Sequence, residues 1–160
     1  MPIRTEFDVV RDLKSAARSA PSVHVLMATI CHTLAQRLPN YDWVGFYLLD
    51  PKDENTLVLG PYVGAPTPHT RISLNQGICG AAVSHGETIV VDDVQADPRY
   101  LSCSLATKSE IVAPVRVHGK IVGEIDIDSH VSARFKPGDR EFVEQCAQIV
   151  GEYLERKQSA

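Results

Sequence analysis

One cysteine in a polar loop is followed by two apolar segments that carry acidic side chains. The cysteine is Cys103, in the sequence LSCSLATKSE, and the two segments are residues 110–117 and 121–128. In the second segment three acidic residues alternate with isoleucine, namely Glu124, Asp126 and Asp128. Because successive side chains of a strand point to opposite faces, these carboxylates should share one face. Like charges on one strand face repel each other, so we expect some of these residues to be functional.

The four cysteines differ in the chemistry that their surroundings favour, and no two of them form a CxxC pair. Cys31 and Cys146 fall on the apolar stripes of predicted helices, where a free cysteine behaves as a small buried side chain. Cys103, in a serine-rich polar loop, is the predicted reactive thiol. Cys79, in the sequence GICG, can be interpreted either as a redox residue or as a small side chain packed below a tight turn.

A metal site formed by His69, Cys79 and Cys103 is a weaker interpretation. The three residues lack the close paired spacing that structural zinc ligands show. We therefore predict no metal and no bound cofactor.

Composition limits the classes of function that remain. The chain has 160 residues, 44% of them hydrophobic and 22% charged, which is typical of one globular domain. A formal charge of -4 and the lack of a Lys/Arg cluster argue against a nucleic-acid surface. No apolar run approaches the roughly 20 residues that span a bilayer. The N-terminus has no apolar signal-peptide core, so we expect a cytoplasmic location and no framework of disulfides.

The elements that must position these residues follow from apolar periodicity and turn residues. Residues 118–120 read His-Gly-Lys, a short link typical of a hairpin between segments 110–117 and 121–128. The other predicted elements are helices over 6–20, 22–38, 76–83 and from about 137 to 156, and strands over 43–49, 56–59, 71–73 and 88–91.

This order predicts an α+β fold with a central antiparallel sheet. Hairpins at both ends favour antiparallel pairing, and the N- and C-terminal helices should cover one face of the sheet. The irregular stretch 60–108 should cover the other face and leave a ligand pocket beneath it. Glu110, Asp126 and Asp128 are predicted to face that pocket, whereas Glu124 is predicted to be a solvent-facing edge charge.

Several motifs carry a resemblance to a known family. They are WVGFYLL at 43–49, GPYVG at 60–64, GICG at 77–80, Cys103 itself, SEIV at 109–112 and DIDS at 126–129. Together they make the chain resemble the GAF domain family and, more narrowly, its free methionine-(R)-sulfoxide reductase branch. The resemblance implies one GAF domain over 1–160, with an N-terminal helix over 1–20 and a core over 21–157.

The resemblance also implies a reaction, the reduction of free L-methionine (R)-sulfoxide. Cys103 would attack the sulfoxide sulfur, and the resulting sulfenic acid would condense with a second cysteine to a disulfide that thioredoxin or another thiol reduces. Glu110, Asp126 and Asp128 would bind the ammonium group or supply the proton that the sulfoxide oxygen needs. The rings of Trp43 and Tyr47 would hold the methyl and thioether end of the substrate. Lys108 and Arg71 are candidates for a cation that offsets these acids.

Two positions depart from the pattern of the branch. The loop that usually carries a resolving cysteine reads Ala-Pro-Thr-Pro-His-Thr over 65–70, with His69 or its neighbour at that position, and Ser104 replaces an aspartate. Cys79 is then the plausible partner of Cys103, unless a small thiol reduces the sulfenic acid directly. A binding module without turnover and a thiol redox sensor remain alternative functions. A homodimer through the first and last helices is also plausible.

Overall fold

The structure, a computed structural model, describes residues 2–101 and 105–159. In these residues it contains four α-helices, one short 3-10 turn and six strands, in an α+β arrangement around an antiparallel sheet, as predicted. The helices are α1 (Pro2–Ser19), α2 (Val23–Arg37), α3 (Gly77–His85) and α4 (Pro137–Ser159). The strands are β1 (Trp43–Asp50), β2 (Asp53–Val63), β3 (Arg71–Ser73), β4 (Ile89–Val91), β5 (Ser109–Val117) and β6 (Lys120–Ser129), and the 3-10 turn is Val94–Ala96.

The sheet order is β3-β2-β1-β6-β5-β4, and every neighbouring pair is antiparallel. The predicted hairpin joins β5 to β6 through His118 and Gly119, whose φ angles of 50° and 79° lie in the left-handed region. Two such residues give the turn whose twist matches paired strands. Strand β6 therefore lies between β5 and β1, in the middle of the sheet.

Helices α2 and α4 pack on one face of the sheet, and α1 packs on those two helices. Apolar side chains of β1, β5 and β6 meet the helices there in the larger of two cores. Cys31 and Cys146 lie in this core with no exposed surface, which confirms the prediction that they are packed side chains. Burial raises the pKa of Cys31 to about 12, so this thiol is unreactive at neutral pH.

Helix α3, strand β3 and the loops around them cover the opposite face. A second apolar cluster forms beneath them, which includes Trp43, Tyr47, Ile78 and Cys79. The sheet is thus covered on both faces, and the predicted division between terminal helices and the irregular stretch is confirmed. Among the described residues, no helix has the length and apolar character needed to cross a bilayer.

Some elements are longer than predicted. Strand β2 starts at Asp53 and continues through Gly60 and Pro61, because it pairs with β1 on one side and β3 on the other. A shift of register between Gly45 and Tyr47 of β1 accompanies this stretch, and irregular pairing of this kind tolerates glycine and proline. Tertiary pairing here overrides the local turn signals that the sequence shows.

Helix α4 lies close enough to β5 that one of its glycines cannot carry a side chain. A Cβ at Gly151 would collide with the backbone carbonyl oxygen of Arg116. We expect Gly151→Ala to lower the free energy of unfolding by about 1–3 kcal/mol, because the helix must move away from the strand. Denaturant unfolding followed by circular dichroism measures this change.

Gly138→Ala is the matched control in the same helix. Apart from its chain neighbours and the adjacent backbone of its own helix, no described atom lies within 4 Å of a Cβ at that position. Alanine is favoured over glycine in helices by up to about 1 kcal/mol, so this variant should be neutral or more stable. Equal destabilisation by both substitutions would contradict the close packing of α4 on β5.

Candidate active site

The acidic residues of β6 occupy one face of the strand, as the alternation predicts. Ile125 and Ile127 point into the helical core, and the three acidic residues between and beside them point toward α3. The register places Asp128 between Trp43 of β1 and Glu110 of β5. A cluster of four carboxyl groups results, called the acidic cluster below: Glu110, Glu124, Asp126 and Asp128.

Every member of the acidic cluster is buried, with at most 5% of its surface exposed. The prediction that Glu124 is a solvent-facing edge charge is therefore wrong, since this residue is 0% exposed. Its strand is central, so Tyr47 and Pro114 flank it in the neighbouring strands. Helix α3 covers it from above.

Burial dominates the electrostatics of the acidic cluster. It raises the pKa of Glu110, Glu124 and Asp128 well above the ordinary range of a carboxyl. It also raises the pKa of Asp126, but hydrogen bonds from Glu110, Cys79 and Asp128 partly offset the effect. Asp126 thus ionises more readily than Glu110, whose pKa the negative charge of Asp126 raises further. The arrangement favours a carboxylate at Asp126 and a protonated, hydrogen-bond-donating carboxyl at Glu110.

Basic side chains do not neutralise the acidic cluster. No lysine, arginine or histidine is buried among the residues whose exposure the structure describes. Arg71, a predicted candidate, is exposed and pairs with Asp50 at 2.8 Å, and Lys108 is exposed. Since buried carboxylates require a partner, this face of the sheet is suited to a ligand with a cationic group.

Cys79 places a thiol against the acidic cluster. Its Sγ donates a hydrogen bond to Oδ2 of Asp126 over 3.4 Å, from the first turn of α3. Burial, together with the charge of Asp126, raises the pKa of this thiol well above its usual value. Cys103 lies outside the described residues, so its predicted pairing with Cys79 stays a prediction.

Trp43 and Tyr47 hold a loop over the site, in addition to lining it. The indole Nε1 of Trp43 donates to the carbonyl oxygen of Ala65 at 3.0 Å, and the hydroxyl of Tyr47 donates to the carbonyl oxygen of His69 at 2.8 Å. The sequence did not reveal these contacts, because both acceptors are backbone atoms of an irregular loop. His69 takes part through its backbone, and its side chain is half-buried.

Two small cavities reach the acidic cluster. One has a volume of about 10 Å³ and is lined by Tyr47, Cys79, Leu101, Glu110 and Asp126, among others. The other, about 70 Å³, reaches Asp128 between Trp43 and the 65–67 loop.

Cys79, Glu110 and Asp126 are also the described residues whose ligand atoms come close enough to hold a metal ion, all within 4.8 Å of one another. A metal requires such ligands to be deprotonated, whereas burial here favours their protonated forms. His69 is not among these three residues, and the absence of a metal stays a prediction.

Comparison with known proteins assigns the family. The model of the GAF domain matches residues 22–154. The free methionine-R-sulfoxide reductase of Escherichia coli (strain K12) is 36% identical over 144 residues, which cover 89% of this chain and 85% of that protein. The chain belongs to this reductase family of GAF domain proteins. The reductase of Saccharomyces cerevisiae is 38% identical over 122 residues, 76% of this chain and 67% of that protein.

A solved structure of a family member supports the same assignment. The free methionine-R-sulfoxide reductase of Neisseria meningitidis, in complex with its substrate, has a TM-score of 0.89 and 31% sequence identity. The match covers 97% of this chain and 92% of that one. The resemblance stated from the sequence motifs is therefore confirmed, both for the GAF fold and for the reductase family.

From the raised pKa of Glu124 we predict how the stability of this protein changes with pH. A carboxyl whose pKa is higher in the folded than in the unfolded state contributes to the stability of the fold. The contribution is complete at a pH below the unfolded-state pKa of about 4, and it is lost as the pH rises through the folded-state pKa. Glu124→Gln keeps the neutral shape, so its melting temperature relative to wild type should increase with pH. We expect a gain of about 2–4 °C at pH 8, equivalent to about 1 kcal/mol, and almost none at pH 4.

Thermal unfolding between pH 4 and pH 9 measures this difference. Glu87→Gln, a substitution of an exposed glutamate, is the control and should show no such trend. A Glu124→Gln difference that stays constant or shrinks as pH rises would contradict the uncompensated burial of this carboxyl.

A separate prediction concerns the hydroxyl of Tyr47, which donates to the loop over the site. Tyr47→Phe removes the hydrogen bond to the His69 carbonyl and should cost about 1 kcal/mol, with faster hydrogen exchange in loop 64–70. Tyr62→Phe is the control, since Tyr62 is 37% exposed and stacks on Trp43 through its ring alone. Equal exchange rates in the two variants would show that the Tyr47 hydroxyl does not hold the loop.

Proposed function

We propose that this protein reduces free L-methionine (R)-sulfoxide to methionine. The observation that carries the proposal is the acidic cluster, which is buried, lacks a buried basic partner in the described residues and lies against a thiol. A free amino acid brings the ammonium group that such a cluster lacks. Membership in the reductase family supports this choice of substrate, and the substrate-bound Neisseria structure supports binding at this fold.

The described residues suit distinct parts of the substrate. Asp126 and Asp128 bind the ammonium group, because a carboxylate held at Asp126 gains the counter-charge that the protein does not supply. Trp43 and Tyr47 offer an apolar wall to the methyl and thioether end. Both cavities are smaller than an amino acid, so side chains over the site, such as that of Leu101, must shift when substrate enters.

The chemistry begins at Cys103, whose thiolate attacks the sulfoxide sulfur. Glu110 is suited to give a proton to the sulfoxide oxygen, since burial and the charge of Asp126 raise the pKa of its carboxyl well above the ordinary range. The oxygen passes to the cysteine, the substrate sulfur is reduced by two electrons and methionine leaves. Cys103 becomes a sulfenic acid, oxidised by the same two electrons.

Recycling requires a second thiol. Cys79 condenses with the sulfenic acid to give a disulfide and water, and thioredoxin reduces that disulfide by thiol–disulfide exchange. This assignment follows from the replacement of the usual loop cysteine in the region of His69. A cytoplasmic location suits this reductant. A homodimer through α1 and α4 and a single domain over the whole chain complete the proposal.

Coupled turnover tests the function. With thioredoxin, its reductase and NADPH, free methionine (R)-sulfoxide should drive NADPH oxidation, whereas the (S) epimer should not. Cys103→Ser should abolish turnover, because it removes the nucleophile. Cys79→Ser should form about one methionine per enzyme at the normal rate and then recycle slowly.

Cys31→Ala is the control, since that thiol lies in the helical core and should leave turnover unchanged. No turnover at millimolar substrate would overturn the enzyme proposal. Substrate binding without turnover would indicate a binding module, and a Cys79–Cys103 disulfide formed by peroxide alone would indicate a redox sensor.

A further inference from the structure

Glu124 has no part in the reaction proposed above, although it is the most completely buried member of the acidic cluster. Neither of its carboxyl oxygens has a partner in good hydrogen-bond geometry among the described residues, and the Cys79 thiol is the one side chain whose weak hydrogen bond affects its pKa. An unpartnered buried carboxyl costs stability, by about 1–3 kcal/mol for a neutral group. A group kept at such a cost is a candidate for function.

The surroundings of Glu124 connect it to one reacting group. Cys79 of α3 and Asp126 of its own strand are the titratable groups that act on it, and Tyr47 and Pro114 flank it across β1 and β5. The Cys79 thiol and the Glu124 carboxyl each affect the pKa of the other through a side-chain hydrogen bond, and Glu110 of β5, which has a carboxyl oxygen within 4.8 Å of the Cys79 sulfur, affects the same thiol through its charge. The exposed residues Arg71 and Lys108 bring no positive charge into this group.

The two carboxyls beside the thiol differ in their capacity to take a proton. Asp126 already accepts hydrogen bonds from Cys79 and Glu110, and these bonds make it the weaker base. For Glu124 only the hydrogen bond from Cys79 lowers the pKa, and burial raises that pKa well above the ordinary range, so Glu124 is the stronger base once ionised.

We infer that Glu124 is a further catalytic residue, the base that accepts the Cys79 proton when this thiol attacks the Cys103 sulfenic acid. The inference rests on the proposed function of Cys79 as the resolving thiol. In this step the Cys79–Cys103 S–S bond forms and the S–O bond of the sulfenic acid breaks. The Cys79 proton goes to Glu124, and the departing hydroxyl takes a proton from Glu110, which regains one from solvent after methionine leaves, and departs as water. Cys79 sulfur is oxidised, Cys103 sulfur is reduced, and no outside reductant is needed.

The experiment follows both half-reactions separately, without thioredoxin. The enzyme is mixed with one equivalent of methionine (R)-sulfoxide or, in a parallel series, with hydrogen peroxide, and quenched with acid over time between pH 6 and pH 9. Methionine release reports the first half-reaction, and mass spectrometry of the Cys79–Cys103 peptide reports the second. The peroxide series generates the sulfenic acid even if methionine sulfoxide is not the substrate.

We expect Glu124→Gln to release methionine at the wild-type rate and to form the disulfide on the order of 100-fold more slowly at pH 7. In the wild type, disulfide formation should speed up as pH rises through the pKa of Glu124. The variant should lack this rise until the Cys79 thiol itself ionises. Glu124→Asp, which keeps a carboxylate, should restore part of the rate, whereas Asp126→Asn should impair methionine release as well.

Two results would overturn the inference alone. One is a wild-type rate of disulfide formation in Glu124→Gln, and the other is slowing by the same factor at every pH, which a structural role would give. If the sulfenic acid of Cys79→Ser forms and disappears as fast as that of the wild type, the resolving role of Cys79 fails, and with it the inference. If the peroxide series gives the expected result but methionine sulfoxide does not react, the substrate proposal fails and the role of Glu124 stands.

Discussion

The burial of four carboxyl groups without a buried basic partner is the constraint on which the rest of this site depends. An isolated buried carboxylate costs several kcal/mol, so the acidic cluster must be neutralised by protons or by a bound cation. The carboxyl groups need this neutralisation because the elements that cover them exclude water. Helix α3 lies over the cluster, and the loop held by Trp43 and Tyr47 closes its side. A ligand with an ammonium group relieves a cost that the folded protein otherwise carries.

Strand β6 supplies both the carboxyl groups of the site and the apolar side chains that anchor the strand in the core. On one side of β6, Ile125 and Ile127 pack in the helical core with no exposed surface. On the other side, the carboxyl groups are fixed in register between β1 and β5. A site on a central strand is held more rigidly than one on a loop, which suits chemistry that requires fixed positions. The close packing of α4 at Gly151 anchors β5 from behind.

In the proposed reaction, the acidic cluster has two halves that differ in their position along β6. Asp126 and Asp128 lie toward Glu110 and Trp43, where the substrate amine and sulfoxide would bind. Glu124 lies opposite Tyr47 and affects the pKa of the Cys79 thiol, which would form the disulfide. Because alternate residues of a strand are about 7 Å apart, neighbouring carboxyls can serve different steps without exchanging roles. The thiol of Cys79 connects the halves, since it contacts Asp126 and acts on Glu124.

Which residues share a face could be read from the order of the amino acids, since strand alternation depends only on local geometry. The hairpin at His118 and Gly119 and the packed state of Cys31 and Cys146 could be read in the same way, because turn residues and helical stripes are local signals. The burial of Glu124 could not be predicted in this way, because its exposure depends on β6 being central and covered by α3. The same holds for the loop contacts of the aromatic residues and for the missing basic partner. The loop contacts and the lack of a basic partner both depend on which distant segments of the chain pack together, and local sequence patterns do not predict that packing.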